Sequence, residues 1–196
     1  MKRATWVDGW WAHARHRISP NAGPRPAAVS VDLVILHSIS LPPGVYGSDA
    51  IGQLFTNQLN WAAHPYFEKI RGLQVSAHFV IDRRGRTTQY VSCDERAWHA
   101  GASHWQGRDN CNDFSIGIEL EGLEGDPFEP AQYRSLVPLL NSLRRKHGVR
   151  AVVGHEHVAP GRKADPGPGF RWGYLRRSLG WSAQCFPAIP RDFLST

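Results

Sequence analysis

VDLVILH, residues 31–37, is a run of six residues, five of them apolar, closed by a histidine. A short apolar run rich in branched side chains reads as a buried strand, and His37 stands at its end. VRAVVG (149–154) repeats the pattern and delivers His155. Between them, FSIGIEL (114–120) alternates. Ile116, Ile118 and Leu120 fall on one face, and Gly117, Glu119 and Glu121 on the other.

Around these strands the chain reads as a mixture of helices and hairpins. SDAIGQLFTNQL (48–59) starts on capping residues and spaces Ile51, Leu54, Phe55 and Leu59 as a helix would. HFVID (78–82) and RTTQYV (86–91) flank the turn RRG (83–85), which predicts a β-hairpin with Gly85 at the tight position. A long helix is expected from about Pro130 to His147, with Tyr133, Leu136, Val137, Leu140 and Leu143 as its apolar stripe. Basic residues close it, Gly148 stops it, and Pro138 inside it predicts a kink or a broken turn. RWGYLRRSLG (171–180) reads as a last short helix. Strands and helices mix without strict alternation, so the expected fold class is α+β, with a mixed central sheet flanked by helices. One domain is expected over 31–180, preceded by an extended lead-in (1–30) and followed by a C-terminal tail (181–196).

The chain has 196 residues, 41% of them apolar, enough for one sizeable core. No apolar run is long enough to span a bilayer, so no membrane association is expected. Asp8, His13 and Arg15 interrupt the N-terminal segment, which argues against a secretory signal and for the cytoplasm. Cys93, Cys111 and Cys185 are odd in number, lack zinc-type spacing and read as inert thiols. The net charge of +6 is concentrated at the ends. Residues 1–30 hold five Lys/Arg against Asp8, residues 171–196 hold four against Asp192, and the stretch between them is −1. Solvated basic termini fit this distribution better than a nucleic-acid groove does.

The loop GRKADPGPGF (161–170) carries Lys163 and Asp165. Two imidazoles and a carboxylate, His37, His155 and Asp165, suit a catalytic Zn2+ whose fourth position is left for water. Taken singly, each has a plainer reading as a hydrogen-bonded structural residue. His157 competes with His155, because on an extended strand end the two would point the same way. An H-E-x-x-H motif is absent, since Ala159 holds its fifth position. Glu119 reads equally well as a base beside the metal or as a carboxylate on the solvent side of an edge strand. Gly117 beside it is expected to leave open space. Lys163 is either a solvated charge or a partner for an oxyanion.

The segments LVILHSISLPPGVYG (33–47), VSAHFVI (75–81), RAWHAG (96–101), CNDFSIGIELEG (111–122) and GHEHVAPGRKADPGPGF (154–170) closely resemble the AmpD-type N-acetylmuramoyl-L-alanine amidases. The match is ordered and spans about residues 15–175. It implies the fold shared with peptidoglycan recognition proteins, with zinc in a groove. It further implies His37, His155 and Asp165 as zinc ligands, which demotes His157, and Glu119 and Lys163 as the catalytic pair. Trp98 matches an aromatic that lines the substrate groove. The chain departs from such relatives in having Ser38 where Asn often follows the first histidine. It also has Gln74 and Asn110 where Arg is frequent, and these positions bear on how sugar and peptide carboxylates are held.

The activity so implied is hydrolysis of the amide between the lactyl group of N-acetylmuramic acid and L-alanine. The expected substrate is a small 1,6-anhydro muropeptide of cell-wall recycling, and the expected state is a monomer without nucleic-acid or membrane partners. The alternatives are an amidase of intact peptidoglycan and a peptidoglycan-binding protein without catalysis. Presence of all three ligand positions together with Glu119 and Lys163 disfavours the second.

Overall fold

The computed structural model describes residues 5–188. Residues 1–4 of the expected lead-in and 189–196 of the expected tail lie outside the described residues. In chain order the strands are β1 (Trp6–Val7), β2 (Trp10–Trp11), β3 (Arg15–His16), β4 (Ala22–Pro24), β5 (Leu33–Ile39), β6 (Phe79–Ile81), β7 (Thr87–Gln89), β8 (Glu95–Ala97), β9 (His104–Trp105), β10 (Arg108–Asp109), β11 (Ser115–Glu121) and β12 (Ala151–Gly154). The helices are α1 (Ala50–Phe55), α2 (Pro65–Lys69), α3 (Pro130–His147), α4 (His155–Val158) and α5 (Trp172–Leu179).

Six strands form the central sheet in the order β12-β5-β11-β6-β7-β3. The four strands from β12 to β6 are parallel, β6 and β7 form the expected antiparallel hairpin, and β3 joins β7 in parallel. Gly85 takes φ 81° at the hairpin turn, a conformation that costs other residues a Cβ clash. This is the expected α+β fold with a mixed sheet.

The parallel strands are buried on both faces, as strands covered on both sides must be. On one face, Val34, Leu36, Ile116, Ile118, Leu120 and Val152 pack with Leu136, Leu139, Leu140 and Leu143 of α3 and Leu175 of α5. The opposite face carries Leu33, Ile35, Val153 and, farther along the same strands, the polar residues of the site. At the β6–β7 end, Val80 and Tyr90 pack against Ile51, Leu54 and Phe55 of α1.

Several local expectations are corrected. The helix expected over 48–59 is shorter, α1 ending at Phe55, and Asn57 then takes a positive φ that no helix continues through. α3 spans its expected range and stops on Gly148 in the left-handed conformation. It runs on through Pro138, which is exposed, and its buried stripe takes in Leu139 as well, while Val137 is partly buried against the same core. The segment read as a lead-in is also used by the fold: β3 is an edge strand of the main sheet, and Trp11 is buried in the core. Past residue 180, Trp181, Cys185 and Phe186 also pack into that core. The three cysteines are buried free thiols. Among the described residues, no helix is long and apolar enough to cross a membrane.

Candidate metal centre and active site

The register of the parallel strands assembles the site. Glu119 on β11 and His37 on β5 are Cα partners, so their side chains stand side by side on one face. Gly154 on β12 is level with Leu36, and His155, the next residue, therefore emerges beside His37. The third group comes from the loop after α4, where the N–H of Glu156 donates to the Asp165 carbonyl at 2.9 Å. Gly154 permits this approach, since a Cβ there would lie 2.7 Å from Cδ of Pro166.

Three ligand atoms converge as a result. His37 Nδ1 is 3.0 Å from His155 Nδ1 and 3.0 Å from Asp165 Oδ2, and His155 Nδ1 is 3.2 Å from the same oxygen. All three residues are buried, and their ligand atoms lie within 4.8 Å of one another. Two buried imidazoles and a carboxylate converging in this way are a donor set of the kind that would hold a catalytic zinc. The outer nitrogen of His155 supports the fit. Its Nε2 lies 3.0 Å from the Ala100 carbonyl, which can only accept, so the proton sits on Nε2 and Nδ1 presents a lone pair.

Burial lowers the His37 pKa to about 4, against the pull of the Asp165 contact, and so keeps the ring neutral as a ligand must be. For Asp165, burial works toward a higher pKa, but the contacts with His155 and His37 override it and hold the carboxyl well below its ordinary range. Glu119 goes the other way. Burial, then the charge of Asp165, push it well above the usual carboxylate range, with Lys163 partly opposing them. Its Oε2 is buried with no hydrogen-bond partner. An orphaned carboxylate oxygen beside a three-donor cluster is what a site awaiting an ion and a proton-transfer partner would contain.

Three sequence expectations change here. β11 is a central strand, buried throughout, so the reading of Glu119 as a solvent-facing edge residue falls away. Gly117 leaves no open space: a Cβ there would lie 2.4 Å from the His99 ring, which occupies that room. Residues 155–158 form a helical turn instead of an extended end, and this turns His157 away from His155. His157 Nδ1 accepts the Gly154 N–H at 3.0 Å, and its ring packs edge-on to Trp172.

The site opens into a cleft of about 250 Å³. Ser38, Trp98 and Lys163 line it together with Glu119, while Leu54, Tyr66 and Leu73 contribute to its apolar wall. Lys163 is exposed, in contrast to buried Asp165. Trp98 is half-buried and held by its backbone, its N–H donating to Ser76 Oγ at 3.1 Å. Gln74 and Asn110 are not among the lining residues of this cleft. His99 went unnoticed in the sequence although RAWHAG contains it. The one local signal was a glycine inside an apolar strand, which marks a close approach by another group.

The family profile described as N-acetylmuramoyl-L-alanine amidase matches residues 27–168. The chain is 48% identical over 171 residues to the 1,6-anhydro-N-acetylmuramyl-L-alanine amidase AmpD of Citrobacter freundii, covering 86% of this chain and 91% of the relative. Against AmpD of Escherichia coli K12 it is 46% identical over 171 residues, covering 86% and 93%. Among solved structures, a crystal structure of a selenomethionine AmpD derivative superposes with a TM-score of 0.86 at 46% identity, covering 88% of this chain and 98% of that one. The amidase AmiD of Escherichia coli, in complex with the substrate anhydro-N-acetylmuramic acid-L-Ala-D-gamma-Glu-L-Lys, has a TM-score of 0.57 at 29% identity, covering 83% and 60%.

Proposed function

The chain belongs to the N-acetylmuramoyl-L-alanine amidase family, and from that premise we propose that it is a zinc-dependent hydrolase of the amide joining the lactyl group of 1,6-anhydro-N-acetylmuramic acid to L-alanine. The observation that carries the zinc reading is the convergence of His37 Nδ1, His155 Nδ1 and Asp165 Oδ2 beside the unpartnered Oε2 of Glu119. The anhydro-sugar preference is supported by the names of the relatives that share nearly half of this sequence over most of its length.

His37, His155 and Asp165 would hold the ion. A zinc bound in such a site polarises the substrate carbonyl and lowers the pKa of water. Glu119 takes a proton from the attacking water as the C–O bond forms, and returns it to the alanine nitrogen as the C–N bond breaks. Its pKa, raised above the ordinary range, suits a group that must both accept and give a proton. Lys163, at the cleft, is placed to share the negative charge that develops on the carbonyl oxygen. Trp98 and Ser38 offer an aromatic plane and a hydroxyl to the sugar and lactyl groups. We propose that the protein acts as a cytoplasmic monomer on small muropeptides.

The test is peptide release from an anhydro-muropeptide compared with release from intact sacculi. The muropeptide is expected to be turned over faster. A strong preference for sacculi would overturn the recycling substrate and favour action on the intact polymer.

A further inference from the structure

The outer nitrogens of the two metal-facing histidines both end on one dipeptide, His99–Ala100. His155 Nε2 is 3.0 Å from the Ala100 carbonyl, and His37 Nε2 is 3.0 Å from His99 Nδ1. The proton positions along the second contact follow from a fixed end point. The Ser115 hydroxyl has one proton and donates it to the Cys111 carbonyl at 2.6 Å. The Ser115 oxygen, 3.3 Å from His99 Nε2, can then only accept, so a neutral His99 keeps its proton on Nε2. His99 Nδ1 is left as an acceptor for His37 Nε2–H, and His37 Nδ1 is left as a lone pair aimed at His155 Nδ1 and Asp165 Oδ2.

From this chain we propose that His99 is a positioning residue for the metal centre: it fixes the tautomer and ring orientation of His37 through Nδ1, while the adjoining Ala100 carbonyl does the same for His155. The inference rests on the reading of His37, His155 and Asp165 as zinc ligands. The dipeptide is built to stay in place. Asn112 Oδ1 accepts the N–H groups of both His99 and Ala100, at 3.2 and 2.8 Å. The His99 ring lies where any Cβ on Gly117 would be, so the sheet itself forms its seat. The His37 and His99 rings stand edge-to-face at 5.1 Å and 85°. Arg162 donates to the Ala100 and Ala102 carbonyls at 2.7 and 2.6 Å, which ties the loop bearing Asp165 to the same support. Ligating histidines commonly donate to a carbonyl or a carboxylate. A neutral imidazole acceptor for His37 orients the ligand without adding a second negative charge near Asp165.

The experiment measures zinc affinity of the full chain by competition with a chromophoric chelator, for wild type, His99→Phe and His99→Gln. Phenylalanine keeps much of the ring volume and removes the acceptor, whereas the glutamine side-chain oxygen can still accept. Wild type is expected to bind one zinc, His99→Phe to bind about 10- to 100-fold more weakly, and His99→Gln to recover part of the loss. Imidazole 15N NMR of the zinc-loaded wild type, which needs no variant to fold, is expected to show His37 and His99 both protonated on Nε2. Unchanged affinity in a folded His99→Phe chain, or His99 protonated on Nδ1, overturns the positioning role. Absence of zinc binding by wild type would instead overturn the metal reading beneath it.

Discussion

His37 and Glu119 are Cα partners on neighbouring parallel strands, whereas Lys163 and Asp165 sit two residues apart on a loop that is neither strand nor helix. The first pair is placed by the sheet register, which cannot slip by one residue without turning every buried side chain to the other face. The second pair is placed by loop contacts and splits across the surface, Asp165 buried against the histidines and Lys163 exposed at the cleft. The difference teaches how the work is divided. On the proposed reading, the strand half would set where an ion and a base sit, and the loop half would complete the ligand set with Asp165 and offer Lys163 to the substrate.

Asp165→Ala is expected to have the largest effect, because it removes the only charged donor of the cluster. Zinc affinity should fall by more than about 100-fold, beyond what outer contacts to a ligand are worth, and activity should be lost with it. A chain that still bound zinc stoichiometrically would break the claim that the loop completes the centre. Glu119→Gln should leave zinc bound and lower kcat by about 100- to 10,000-fold, the usual range for general acid–base groups. Retained turnover would remove the strand half from proton transfer. Lys163→Ala should lower kcat by about 100- to 1,000-fold, again with zinc bound, and equal activity would take the lysine out of the mechanism.

The smallest effect is on the stability of the metal-free protein. His37, at about 4, and His78, His99, His147 and His157 all have pKa values lowered by burial. The unfolded chain, with histidines near 6.5, therefore binds more protons than the folded one as the pH drops below that value, and stability is lost on the way toward pH 4. Glu119, raised well above its ordinary value, and Glu156, at about 7, act oppositely, gaining stability as the pH falls through their folded values. With five imidazoles acting against two carboxyls between pH 7 and 5, the expected outcome is a net loss. Calorimetry on chelated protein should give a lower Tm at pH 5 than at pH 7; an equal or higher Tm at pH 5 would contradict this balance.

The strand half was largely legible in the sequence. Apolar runs closed by histidines and the I-G-I-E alternation carry their own periodicity, so the residues at the strand ends could be read before the strands were seen. The pairing order could not be read from periodicity, and for that reason an edge position for Glu119 stayed open until β11 proved central. His155 and His157 were inseparable by spacing because a four-residue helical turn is too short to leave a periodic trace, and the Trp172 ring that His157 packs on lies outside the segment. The reading of Gly117 as open space failed for a similar reason, since the ring that fills it comes from residue 99. The contribution of Trp11 and of β3 to the fold was missed because short pairings of two residues leave no periodic trace. The loop pair was legible as candidate chemistry, a carboxylate to join two imidazoles and a lysine two residues away, but nothing in GRKADPGPGF by itself orders one side chain inward and the other outward.

The most direct test of the account is the rate of peptide release from 1,6-anhydro-N-acetylmuramyl-L-alanyl peptide by chelated protein as zinc is added back. The rate should be abolished by chelation and should rise to a plateau at one zinc per chain. Full activity in the metal-free protein would contradict the zinc centre at His37, His155 and Asp165.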